Sequence, residues 1–173
     1  MIEIKDGIKI KGRAYIRGFN TEDKTIFEYY SNNMIVDSGL LAASRMLSKT
    51  FSFPLSGDYT ITKFDVGTSS VSTSANMTSL QGTTYSSKVS GGVGTGLDNT
   101  KLLISSVTYP TVTSVRFNFT IGLAEFNGYT ISELALYTDN KTMFNRVVIP
   151  NSFIKDDSII VAGYSEIDFS TTP

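Results

Sequence analysis

Residues 130–149 read TISELALYTDNKTMFNRVVI, and the reading of this stretch decides the fold. Two runs, Thr130–Thr138 and Lys141–Ile149, flank Asp139-Asn140, residues that tolerate a left-handed backbone and suit a tight turn. The spacing predicts an antiparallel hairpin centred there. It sets Tyr137 opposite Thr142, Ala135 opposite Phe144, Glu133 opposite Arg146 and Ile131 opposite Val148. Glu133 and Arg146 then form a cross-strand ion pair worth about 0.2–1 kcal/mol. That role, fixing strand register, is favoured over a catalytic carboxylate.

Alternation with period two recurs on both sides of this hairpin. From Ile8 to Ile16 polar and apolar residues alternate at first, as in a strand with one wet face. Lys24–Tyr30 repeats the pattern after the turn-like Asn20-Thr21-Glu22-Asp23, so the two runs are expected to pair as a hairpin. Val115, Phe117, Phe119 and Ile121 alternate with Arg116, Asn118 and Thr120, the clearest half-buried strand in the chain. Lys101–Val107 and Ser158–Phe169 read as further strands.

One segment breaks the pattern. Val36–Ser48 (VDSGLLAASRMLS) reads as a short helix near residues 37–48, with Asp37 as N-cap and Val36 stapled to Leu41. Leu40, Ala43 and Leu47 fall on one face, with Leu41 beside them, and are expected to cover the β core. Residues 67–100 are dominated by Ser, Thr and Gly and lack the apolar residues to build a core. They are expected to form a long loop or extended arm. The fold class expected over residues 1–173 is thus mainly β: one antiparallel β-sandwich or barrel-like domain with a single helix.

Composition narrows the chemistry. The 173 residues carry a net charge of −1, with no cysteine and no histidine. Disulfides, thiolate metal sites, cysteine nucleophiles and imidazole general bases are therefore absent. The near-neutral charge gives no field drawing the chain to nucleic acid. No apolar run approaches the roughly 20 residues that span a bilayer, and the first residues lack a signal core. Synthesis and assembly in a cytoplasm, without membrane insertion, are expected.

The stretch SGGVGTGLDN, residues 90–99, invites a nucleotide-binding reading and fails it. Gly92 and Gly94 begin a dinucleotide fingerprint, but its third glycine position holds Leu97, and Gly96 is followed by Leu97-Asp98 where a P-loop needs Lys-Ser/Thr. Among acidic candidates, Asp156-Asp157 lie in a polar turn. Glu166 and Asp168, two apart on one strand, share a face. A solvated face or subunit contact is the expected role of that second pair, over a glycosidase pair. Only hard oxygen ligands remain for a metal, and no EF-hand spacing occurs. No catalytic residue, cofactor or resident metal is assigned. The many aromatic residues sit mostly at alternating strand positions and read as core.

Four patches together resemble small β-rich virion proteins of tailed bacteriophages. They are Asn33–Leu41 (NMIVDSGLL), Phe64–Thr68 followed by a Ser/Thr stretch to Leu80, Gly128–Tyr137 (GYTISELALY), and Arg146–Pro150 leading through Lys155 to Asp157–Val161. Ser69 and Ala135 stand where glycine is common in such proteins. The resemblance implies a non-enzymatic subunit of a tail, baseplate or fibre, located in the virion. Its partners would be other virion subunits and copies of itself in trimer- or hexamer-based assemblies. Capsid decoration or a head fibre is the alternative location. A receptor module binding host-surface glycan, with Tyr85 or Tyr129 lining a shallow site, is the alternative function.

Overall fold

The computed structural model describes residues 8–48, 59–85 and 102–171. Along the chain these form β1 (Ile8–Phe19), β2 (Thr25–Ile35), α1 (Asp37–Ser48), β3 (Ile61–Gly67) and β4 (Leu102–Leu103). They continue with β5 (Ser106–Thr111), β6 (Ser114–Ile121), β7 (Thr130–Thr138), β8 (Met143–Ile154) and β9 (Ile160–Thr171). Among the described residues the strands join in one sheet of order β4-β3-β7-β8-β2-β1-β9-β6-β5. Every neighbouring pair is antiparallel. The sheet curls into a half-barrel, so the barrel-like fold expected from the alternation is the one observed.

The curl turns on β2. Its first nine residues pair along β1, whereas Met34 and Ile35 pair with Arg146 and Asn145 of β8. This strand thus belongs to both halves of the sheet and makes the corner between them. A buried polar junction sits at that corner, where Asn33 Nδ2 and Asn145 Nδ2 each donate to Ser165 Oγ at 2.8 Å. Asn33 lies so close over β1 that a Cβ on Gly12 would fall 1.2 Å from its Oδ1. Only glycine fits beneath it.

The core fills the space enclosed by the curl. Phe64 of β3 meets Phe119 of β6 with ring centroids 4.8 Å apart, joining the two halves. Ile16, Leu134, Leu136, Phe144, Ile149, Val161 and Ile167 complete it. Along β1, Ala14, Ile16 and Gly18 are buried between more exposed neighbours, the half-wet pattern read from the sequence. The β1–β2 turn at Asn20–Asp23 also falls where expected. Asn20 Oδ1 accepts from Glu22 N and Lys24 N there.

The β7–β8 hairpin forms with a different register. Thr138 N donates to Thr142 O, Lys141 N donates to Thr138 O, and Lys141 has φ +74°. This is a three-residue loop, a turn completed by a left-handed residue, in place of a two-residue turn at Asp139-Asn140. The longer loop and a bulge beside Tyr137 set Glu133 opposite Val148 and Arg146 opposite Ala135.

α1 also differs in detail. Leu40 N donates to the Val36 carbonyl, so Val36 occupies the cap position and Asp37 is the first helical residue. Asp37 N donates to Ala75 O. The buried face is Gly39, Ala42 and Ala43, while Leu40 and Leu41 are exposed and Val36 packs with Leu80, Ala135, Tyr137 and Met143. Small residues win this face because the helix lies directly on β8. A Cβ on Gly39 would stand 1.9 Å from the Phe144 carbonyl oxygen. The side chain of Leu47 lies outside the described residues.

The described part of the polar segment, residues 68–85, is a long loop laid across the outer face of β7 and β8. Leu80, with Met77 against it, packs on Val36, Ala135, Tyr137 and Met143 in a second small core. This cover explains why Ile131–Thr138 are buried on both faces. The glycine-rich stretch at 90–99 lies outside the described residues.

Candidate functional site

Three features of the described residues stand out chemically. The first is the pair read from the sequence. Arg146 Nε donates to Glu133 Oε2 at 2.8 Å, and both side chains are fully buried. Glu133 also accepts from the backbone N–H groups of Ser69, Gln81 and Gly82. Arg146 Nη1 donates to Val71 O at 2.7 Å and to Thr73 Oγ1 at 2.9 Å. Glu133 therefore ties the two limbs of the 68–85 loop together, and Arg146 adds a second hold on the first limb. The carboxylate is spent on four donors, which makes it a structural clamp.

The second feature is an arginine–glutamate–arginine row that spans three strands. The register aligns Arg13 of β1, Glu166 of β9 and Arg116 of β6 on the outer face. Arg13 Nε and Nη2 donate to Glu166 Oε1 at 3.0 and 2.5 Å, and Arg116 Nε and Nη2 donate to Oε2 at 3.0 and 2.8 Å. Burial beneath the guanidiniums pushes the Glu166 pKa up. Their hydrogen bonds and charges outweigh it, so the carboxyl lies below its ordinary value. Held ionised, Glu166 is an acceptor and not a proton donor. Asp168, two residues on, accepts from Thr113 Oγ1 at 3.1 Å.

A row of tyrosines runs beside these charges. Tyr15 faces Tyr30 on β2 and Tyr164 on β9, with ring centroids 4.7 and 5.5 Å away. The Arg116 guanidinium stacks 3.9 Å over the Tyr164 ring. Tyr30 is 70% exposed. Arg13, Ala14, Tyr30, Ser31, Asn32 and Tyr164 line a shallow hollow of about 220 Å³. Reading the aromatics as core missed this row, since outward and inward tyrosines look alike until register is known. Tyr85 and Tyr129, the expected glycan-facing residues, are only partly exposed and pack instead around Phe126.

The third feature is an apolar groove of about 680 Å³ between the β5–β6 hairpin and the end of β3. Phe117, Ile167 and Phe169 form its floor side, and Ile61, Ala43 and Phe144 the opposite wall. At its rim Tyr109 is 76% exposed and Val112 fully so. The adjoining sheet edge is blunted by Pro110 and by an irregularity in pairing between Thr108 and Thr111. The opposite edge strand, β4, has only two residues.

Of the Asp156-Asp157 pair, Asp156 serves local structure. Asp156 Oδ1 accepts from Ser158 N and Oγ at 2.8 and 2.6 Å, and those bonds hold its carboxyl below the ordinary value. Among the described residues no cluster of acidic side chains is arranged to hold a metal ion, and no helix is long and apolar enough to cross a membrane. No protein-family model, curated protein or solved structure matches the chain.

Proposed function

We propose that this chain is a structural subunit of a tailed-bacteriophage virion, part of a tail, baseplate or fibre, and that it acts by packing against copies of itself and neighbouring subunits. The sequence resemblance supplies the virion. The observation that supports packing is the exposed apolar rim, Val107, Tyr109 and Val112, beside an apolar groove. Contiguous exposed apolar surface of this kind marks contact sites on soluble proteins. A place on the capsid, as a decoration or head-fibre protein, fits the same surface.

Two measurements test the reading. Light scattering of the purified chain is expected to give a multimer, and Tyr109→Ser with Val112→Ser to shift it toward monomer. Counting copies per purified particle separates the locations. A tail component is expected in multiples of three or six, and a decoration protein in far larger numbers. A chain absent from particles, or one that stays monomeric with and without the substitutions, overturns the proposal.

A further inference from the structure

The outer face of β2, β1, β9 and β6 lies on the other side of the sheet from the apolar residues of the groove, and the assembly reading does not use it. On this face the tyrosine row and the arginine row run side by side, one alternate residue apart on β1 and β9. Tyr30, Tyr15 and Tyr164 make the first, and Arg13, Glu166 and Arg116 the second. Two guanidiniums share a single carboxylate, so the second row keeps one net positive charge.

We propose that the hollow between Tyr30, Tyr164 and Arg13 binds an acidic sugar unit, a carboxylated pyranose of a polysaccharide. Four observations meet there. Both Arg13 bonds to Glu166 use Nε and Nη2, which leaves the Nη1 edge to a ligand carboxylate, and the side chain is 63% exposed. The exposed ring of Tyr30 and the ring of Tyr164 offer apolar faces to the C–H face of a pyranose. Asn32, opposite Arg13 on the same face, supplies an amide at the hollow's wall for sugar hydroxyls. The hollow, about 220 Å³, has room for one sugar ring.

Charge distribution selects a sparsely charged ligand. Glu28 stands at one end of the face, where its Oε2 accepts from Tyr15 OH at 3.2 Å. Asp168 stands at the other, one alternate residue beyond Glu166. Across the ladder Arg17 stands opposite Glu28 and Lys11 opposite Asp168, so the two ends of the face are close to neutral. The one surplus positive charge of the arginine row suits a glycan carrying one carboxylate per sugar or per disaccharide better than a chain with a phosphate at every unit. A nucleic acid is thereby disfavoured.

The test is a calorimetric titration of the full chain with a hexamer of galacturonate, a neutral hexasaccharide of the same length, and a single-stranded oligonucleotide. The acidic hexamer is expected to bind, with the neutral one weaker by about tenfold or more for loss of a charge-assisted pair. Arg13→Gln and Tyr30→Ala are each expected to weaken the acidic ligand by a similar factor. Tyr30→Ala keeps the test independent of Glu166, because it removes an exposed ring and touches no ion pair in that row. No binding of the acidic hexamer, equal affinity for the neutral one, tighter binding of the oligonucleotide, or unchanged affinity in Tyr30→Ala overturns the proposal.

Discussion

Arg146 and Glu133 are bonded at 2.8 Å although neither stands opposite the other in the β7–β8 ladder. The contact is diagonal, within reach of two long side chains on the same face. Because both are fully buried and each also binds the 68–85 loop, the pair joins strand register to loop docking. Breaking it from one side leaves an uncompensated charge. Glu133→Ala is expected to cost about 3–5 kcal/mol in urea unfolding. The same change is expected to speed amide exchange at Ser69, Gln81 and Gly82, which lose their acceptor. Exchange at those amides unchanged from the parent would show that the loop is held by Leu80 and Arg146 without Glu133.

Gly39 sets how closely α1 approaches β8. A Cβ there meets the Phe144 carbonyl oxygen and the atoms behind it, all backbone, so the helix must lift. Alanine, which favours an isolated helix, is expected here to destabilise by about 1–3 kcal/mol through overpacking. Thermal melting is expected to fall by roughly 2–4 °C for each kcal/mol in a domain of this size. A melting temperature at or above that of the parent would mean the helix has slack against the sheet.

The parts of this fold legible in the sequence are those with one wet and one dry face. β1 and β6 alternate because their outer residues meet water, and the β1–β2 turn announces itself through Asn20 and Asp23. β7 is buried on both sides, so its alternation carries no facing information, and the loop that covers it is too polar to suggest a cover. The proximity of Glu133 and Arg146 was legible, but their register was not. It depends on the left-handed backbone of Lys141, a residue with no particular preference for that conformation. The helix face was misread because leucines outrank Gly39 and Ala42 in hydrophobicity, while close contact with β8 rewards small size. The Arg13–Glu166–Arg116 row joins residues 153 and 50 positions apart, and nothing local in the sequence marks them as neighbours.

Lys155 holds the loop before β7 through its ammonium group. The buried Nζ donates to Leu123 O at 3.3 Å, Asn127 Oδ1 at 2.9 Å and Asp156 O at 2.6 Å. Burial lowers its pKa, opposed by the nearby charge of Asp156. Lys155→Met fills similar volume but leaves those oxygens without their donor, at about 1–3 kcal/mol for each that water cannot reach. The expected result is a lower urea midpoint together with an amide shift at Gly128, whose N–H bonds across this loop to the carbonyl of residue 155. A midpoint equal to the parent's would show that water replaces the ammonium without cost.

Acid should weaken the fold through Glu166. Its folded-state pKa lies below the ordinary carboxylate value, since the arginine bonds outweigh the opposing effect of burial. The stabilisation is therefore complete above the unfolded value of about 4.3. As pH falls through that value the unfolded chain takes up the proton first, and stability is lost until pH passes the lower folded pKa. Asp156, depressed by the hydroxyl and the backbone N–H of Ser158, adds a slope of the same sign, which Ser158→Ala reduces separately by deleting the hydroxyl bond. Arg13→Gln and Arg116→Gln are each expected to raise the Glu166 pKa and to flatten the loss of stability below about pH 5. Near pH 7 the exposed Arg13 is expected to change stability by no more than about 1 kcal/mol. Urea midpoints measured from pH 7 down to 3 decide the matter. If Arg13→Gln, Arg116→Gln and the parent lose stability along parallel curves, the two arginines do not hold Glu166 ionised.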